Sequence, residues 1–229
     1  MSSLAGLVVV ITGASSGIGA AVAKHAVKEG AKVVLASRTI EKLEEIAQLC
    51  GGSEHAFAVQ CDVTKRSDHQ ALLEAAISQF GRVDCWVNNA GVGMSKPVIT
   101  ITDDDFDSMM LNNCKSQLYG MQTVISYYKT QGKGQVINLS SLLGRMPMAS
   151  VRAMYSASKA ALNSLTANMR EDLHNEGFND IQVSLFSPGV VATDFGLNAV
   201  GGGYDSRMMP GTYIHRHRQH SLNVLTLLM

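Results

Sequence analysis

Short apolar runs alternate with longer stretches of mixed polarity along this chain. The runs Leu7–Ile11, Lys32–Leu35, Ala56–Cys61, Val83–Val87, Gln135–Leu139 and Ile181–Phe186 carry valine, isoleucine and leucine with little polar alternation. Strands covered on both faces read this way, because neither face is left for solvent. The stretches between them have helical patterning and stop at Gly30, Gly51, Gly81 and Gly177, where a helix C-terminal cap falls. Thr102 ahead of Asp103, Asp104 and Asp105 predicts a helix start: the hydroxyl caps free amides, and the carboxylates meet the positive end of the dipole. Strand and helix repeated six times predict an α/β fold with a doubly wound parallel sheet. No linker, repeat or low-complexity segment interrupts the chain before about residue 200. Residues 1–200 are therefore expected to form one domain, with 201–229 an atypical C-terminal segment.

Composition narrows the classes. A chain of 229 residues with 46% apolar and 17% charged residues can bury one core of ordinary size. Formal net charge is zero, which argues against a nucleic-acid partner. Cys50, Cys61, Cys85 and Cys114 are scattered and form no CxxC pair, so they read as reduced core thiols in a reducing, cytoplasmic compartment. The run Leu7–Ile11 is too short for a signal-peptide core and leads straight into a glycine turn. No stretch is long enough to span a bilayer. The acidic run at 103–105 reads as a helix start, and no metal site is expected.

Candidate chemistry begins after the first run. TGASSGIG occupies residues 12–19, so Gly13, Ser15, Ser16, Gly17, Ile18 and Gly19 fall on a strand-to-helix turn. Glycines there let backbone amides approach a pyrophosphate, and the helix N-terminus adds partial positive charge. The second run ends in Leu35, Ala36, Ser37 and Arg38. The acid that would hold the ribose hydroxyls of NAD is missing, and a guanidinium suits a 2′-phosphate. NADP(H) is therefore expected ahead of NAD(H), whose use is left open. Ser15 is placed to add a hydrogen bond to that phosphate. Further on, Tyr155 and Lys159 stand four apart in YSASK within a helical stretch, which sets both on one face. A neighbouring ammonium, together with the positive ring of a bound nicotinamide, is expected to lower the phenol's pKa toward the working pH, so that Tyr155 can act as a general acid or base.

The glycine spacing of the turn, the NNAG string at 88–91, the paired serines Ser140 and Ser141, the YSASK motif and the SPGVVATDF segment at 187–195 follow in order. In these motifs the chain resembles the short-chain dehydrogenase/reductase family from about residue 5 to about residue 200. The resemblance implies a Rossmann-type sheet and hydride transfer between NADP(H) and a carbonyl or alcohol substrate. It implies that Asp62 and Val63 sit beside the adenine, and that Asn89, Ala90 and Gly91 line the dinucleotide. Lys159 and Tyr155 would also touch the nicotinamide ribose. Pro188, Gly189, Val191 and Thr193 would meet the nicotinamide, with Thr193 bonding its carboxamide. The family's serine is the one followed by two residues and a glycine, which selects Ser141 to polarise the substrate oxygen. Its asparagine, which holds a proton-relay water, falls on Asn113 when Phe106 and the Met109–Met110 pair are aligned; Asn112 competes with it.

The chain departs from the family near its end. Relatives continue with a helix, a seventh strand and a glycine-rich stretch, whereas here Gly201, Gly202 and Gly203 lead into GTYIHRHRQHSLNVLTLLM. The seventh strand is expected to be missing or replaced, with Leu222–Leu228 the replacement candidate and the sixth strand otherwise an edge. His215, His217 and His220 read as part of a basic tail rather than a metal site. The family's oligomer contacts draw on this region, so assembly, including a homo-oligomer, is left open. The segments expected to line the substrate pocket carry Met94, Met146, Met148, Met154, Met208 and Met209. They point to an apolar carbonyl compound, such as a lipid, a steroid-like ketone or a retinoid-like aldehyde. The rival expectation is a catalytically impaired, truncated variant that binds a nucleotide or a partner.

Overall fold

The structure, a computed structural model of the protein, describes residues 4–146, 149–203 and 205–208. Strands β1 (Val8–Thr12), β2 (Lys32–Ser37), β3 (Ala56–Gln60), β4 (Cys85–Asn88), β5 (Gly134–Leu139) and β6 (Ile181–Phe186) alternate with helices α1 (Gly17–Lys28), α2 (Ile40–Leu49), α3 (Arg66–Phe80), α4 (Asp103–Met110), α5 (Ser116–Gln131) and α6 (Ala153–Asn175). The strands form one sheet in the order β3-β2-β1-β4-β5-β6, and every pairing is parallel. The expected doubly wound architecture is thus present.

Side-chain alternation explains why the runs carry no polar face. Val9, Ile11, Val33 and Leu35 pack on one side of the sheet with Val22 and Ala26 of α1 and Leu43 of α2. Val8, Val10, Val34 and Trp86 pack on the other side with Leu72 of α3, Met121 and Val124 of α5, and Leu173 of α6. Successive strand residues therefore enter two different cores. Each fully buried aliphatic side chain contributes about 1.5–3 kcal/mol.

Boundaries follow local hydrogen bonds. β3 stops before Cys61 because the Asp62 amide donates to Asp68 Oδ2 at 2.9 Å, turning the chain away. β4 begins after Val83: Asp84 accepts from the Val8 amide at 2.9 Å and pairs with Arg82. The four anticipated terminating glycines all have left-handed φ, at 88°, 92°, 80° and 85° for Gly30, Gly51, Gly81 and Gly177. Thr102 caps α4 with a reciprocal box: its hydroxyl accepts from the Asp105 amide, and the Asp105 carboxylate accepts from the Thr102 amide. A π turn at Leu111–Lys115 stands between α4 and α5.

Among the described residues the sheet has six strands, with β6 at one edge. The tail run Leu222–Leu228, the three tail histidines, Met148 and Met209 lie outside the described residues. Among those described, no helix is long and apolar enough to cross a membrane.

Candidate active site

β1 and β4 are neighbours, yet the chain leaves β1 toward β2 and reaches β4 only after β3. Connections diverge on either side of this pair, which opens a crevice at its carboxyl end. Thr12, the last residue of β1, closes the crevice floor. Its hydroxyl donates to the Val87 carbonyl at 3.3 Å and accepts from the amides of Asn89 and Ala90 at 3.0 and 3.2 Å. Asn89 returns the bond, donating from Nδ2 to the carbonyls of Thr12 and Gly13 at 2.8 and 3.1 Å.

Two glycines of the loop are packed so tightly that a side chain is excluded at either. A Cβ on Gly13 would lie 2.9 Å from Ala90 Cα, and one on Gly19 would lie 2.5 Å from the Gly13 carbonyl oxygen. Gly13 and Gly17 also have left-handed φ of 66° and 54°. Ser16 stands at the N-cap of α1 but contributes no side-chain cap bond. The first-turn amides thus remain available to an anion, with the dipole behind them. Ile18 turns into the core. Ser15, half-buried, lies on the same loop.

At the far end of the crevice lie Ser37, Arg38, Asp62 and Val63. Ser37 Oγ accepts from the Thr39 amide at 3.3 Å, which fixes the turn after β2. The Arg38 side chain is exposed, and its charge acts on Asp62. The Asp62 carboxyl is held below its usual pKa, first by the Thr64 hydroxyl, which donates to it at 2.7 Å, and also by the Thr64 amide, Lys65 and Arg38. The Val63 carbonyl contacts buried His69 at 2.9 Å.

The reacting end is built on α6. Tyr155 and Lys159 are both buried on one face of it, with Nζ 5.9 Å from the phenol ring centroid. Lys159 Nζ donates to the Leu139 carbonyl at the end of β5, at 2.7 Å. Burial lowers its pKa to about 7. The Tyr155 phenol has its pKa raised, because burial penalises the phenolate more than the Ser141 hydrogen bond and the Arg152 charge favour it. Proximity to lysine is visible in a motif, but desolvation is not. Ser141 and Ser140 separate clearly. Ser141 bonds toward Tyr155 and accepts from the Leu143 amide at 3.2 Å, whereas Ser140 is tied to Asn163 and the Lys159 carbonyl.

Asn112 and Asn113 also separate. Asn112 bonds back to the Ser108 carbonyl at 2.8 Å on the exposed side. Asn113, fully buried in the π turn, pairs with the Val92 backbone through both ends of its amide, at 2.8 and 2.9 Å, and donates to Ser158 Oγ at 3.1 Å. A Cβ on Gly91 would lie 3.0 Å from Asn113 Oδ1 and 3.5 Å from Lys159 Nζ, so Gly91 permits both to close on the crevice.

The segment after β6 arches back over the loop. The Pro188 carbonyl accepts from the Leu142 amide at 2.9 Å, and Gly189 follows it, exposed. The Thr193 methyl lies 3.5 Å from where a Gly17 Cβ would stand. Two residues absent from the sequence expectation hold this arrangement. Ser206 donates to the carbonyls of Val191 and Thr193 at 2.9 and 3.1 Å, and Ser158 links Asn113 to the Tyr155 carbonyl. Ser158 could have been found as the third residue after Tyr155; nothing local marked Ser206.

The family model described as short chain dehydrogenase matches residues 7–200. Uncharacterized oxidoreductases of Staphylococcus epidermidis and Listeria monocytogenes are each 37% identical, covering 82% of this chain and 82% and 75% of theirs. Among solved structures, the chain is similar to a 3-ketoacyl-(acyl-carrier-protein) reductase from Brucella melitensis complexed with NADH. That match has a TM-score of 0.88 at 29% identity and covers 99% of this chain and 92% of the other. It is also similar to an alcohol dehydrogenase from Thermococcus sibiricus complexed with 5-hydroxy-NADP, with a TM-score of 0.82 at 25% identity, covering 97% and 90%.

Proposed function

The chain belongs to the short chain dehydrogenase family and is an oxidoreductase that uses a nicotinamide cofactor, and from that premise we propose that it interconverts a carbonyl compound and its alcohol with NADP(H), using Tyr155 as the proton-transferring group. The observation that carries this reading is the buried face of α6. There Tyr155, bonded toward Ser141, and Lys159, bonded to the end of β5, meet Asn113 beside Gly91.

The crevice suits a dinucleotide, because Gly13 and Gly19 have no room for a side chain and the loop leaves helix amides open. Gly13, Ser15, Ser16, Gly17, Ile18 and Gly19 would cradle the diphosphate, with Asn89, Ala90 and Gly91 opposite. Pro188, Gly189, Val191 and Thr193 would border the nicotinamide, and Asp62 and Val63 the adenine. When bound, the nicotinamide gives or takes the hydride. Tyr155 gives the proton to the carbonyl oxygen, or takes it from the alcohol. Ser141 donates a hydrogen bond to that oxygen as charge grows on it. Lys159 holds the nicotinamide ribose and carries protons toward Asn113 and solvent.

The exposed guanidinium of Arg38 and the lack of an acid at the end of β2 support NADP(H) over NAD(H). Leu142, Met146 and Phe195, 42%, 50% and 40% exposed, offer apolar surface near Ser141 and Tyr155, which supports a substrate with an apolar body. Met94 and Met154, by contrast, are core residues packed about Tyr155. Four buried free thiols suit a cytoplasmic setting. The direct test is Tyr155→Phe, with turnover followed through the cofactor's absorbance and affinity measured separately. Carbonyl reduction should drop by at least about a hundred-fold while cofactor affinity is retained; parental turnover by the variant would refute the assignment.

A further inference from the structure

Arg152 stands three residues before Tyr155, at the N-cap of α6. Its guanidinium is wedged between two loops. Nη1 donates to the Met94 carbonyl at 3.3 Å. A Cβ on Gly93 would lie 3.4 Å from Nη1, and one on Gly203 would lie 3.1 Å from Nη2. These loops, after β4 and after β6, are joined by a bridge between Met94 and Val200. The ring of Phe195 borders the same space, near the Gly93 position and edge-on to Tyr155 at 5.7 Å. Arg152 thus lies among the loops packed beside the phenol, and its charge reaches that phenol.

The cation is under-used. A guanidinium has five N–H donors in a planar fork, and among the described residues one long bond to a carbonyl occupies it. Two other cations nearby are neutralised: Lys96 pairs with Asp105, and Arg207 pairs with Asp194 at 3.2 Å and Asp205 at 2.7 Å. Among the described residues no carboxylate pairs with Arg152. A partly buried cation is normally paired, and a planar fork matches a carboxylate in two parallel bonds.

We propose that Arg152 binds a carboxylate carried by the substrate, so that the enzyme acts on a keto acid with an apolar body and its hydroxy acid. This rests on Tyr155 being the proton-transferring group. The keto acid, the reduced cofactor and one proton give the hydroxy acid and the oxidised cofactor. A hydride, one proton with two electrons, goes from the reduced cofactor to the carbonyl carbon, and the proton from Tyr155 goes to its oxygen. The carboxylate stays intact and sets which carbonyl faces the phenol.

The test compares benzoylpropionate with its methyl ester as substrates for the full chain and for Arg152→Gln and Arg152→Lys. Alongside, binding of unreactive phenylbutyrate to the NADP-loaded protein is measured by calorimetry, and melting temperature checks folding. The parent should favour the acid over the ester in kcat/KM by about ten-fold or more. Arg152→Gln should abolish that preference and weaken phenylbutyrate binding by about ten-fold; Arg152→Lys should recover part of both. Equal use of acid and ester by the parent overturns the inference and leaves the oxidoreductase reading standing. So does an equal fall for both in Arg152→Gln with a shifted pH profile, which would assign Arg152 to tuning the phenol. Arg152-dependent phenylbutyrate binding without turnover of either ketone upholds the carboxylate site and overturns the assignment of a keto acid as its occupant.

Discussion

Arg38 and Lys159 are both cations of the crevice, yet their surroundings give them different work. Arg38 is exposed and keeps its full hydration until something anionic approaches, so a 2′-phosphate gains from it what a bare ribose cannot. Arg38→Leu should raise the KM for NADPH by about ten-fold or more and change that for NADH far less. Steady-state kinetics with both cofactors checks this; an unchanged ratio would remove Arg38 from the selection. Single residues were legible where a motif fixes their neighbours. Tyr155 and Lys159 were readable from their spacing, and Ser141 from the glycine three residues on. The burial of Tyr155 was not, because what covers it, the ring of Phe195 included, is distant in sequence. Arg152 escaped notice because a charge before a helix usually reads as solvated, and its neighbours at 94 and 203 are distant in sequence.

At the level of elements, α4 is held by its first turn. Its buried apolar contact is slight, with Met109 alone fully covered, so the capping box and the Lys96–Asp105 pair carry much of its local order. Thr102→Ala removes the hydroxyl that accepts from the Asp105 amide and should lower the melting temperature by about 2–4 °C. Calorimetry measures this, and an unchanged transition would mean the turn is held without the cap. This helix start was legible because caps are short-range chemistry. The six strands were legible because unbroken apolar runs bounded by glycine leave few alternatives. The π turn at 111–115 was not. An extra residue in a helical turn shifts the face on which Asn113 points, and the composition of Leu-Asn-Asn-Cys-Lys carries no mark of it. It is set instead by what Asn113 meets, the Val92 backbone and Ser158, which lie on other elements.

For the molecule as a whole, the main electrostatic liability is the amine at the centre of the site. Lys159 is buried, receives a backbone carbonyl rather than a carboxylate, and has its pKa lowered from 10.5 to about 7. Between those values the unfolded chain holds a proton on this amine that the folded chain lacks. Lys159 therefore makes stability rise with pH across that window, by about 1.4 kcal/mol per pH unit for one proton. Below about pH 7 both states are protonated, and the full penalty of burying the charge, a few kcal/mol, is present. The buried thiols of Cys61 and Cys85, whose pKa values are raised by burial, act in the opposite sense at higher pH, so the contribution of Lys159 must be isolated by difference. Lys159→Met fills similar space without the charge. It should be more stable than the parent at pH 6.5, and the gap should narrow steadily toward pH 8.5. Urea unfolding of both proteins across that range, without added cofactor, checks this. A gap that stayed constant would mean the amine titrates at its ordinary value and that the site tolerates the ammonium before any dinucleotide arrives.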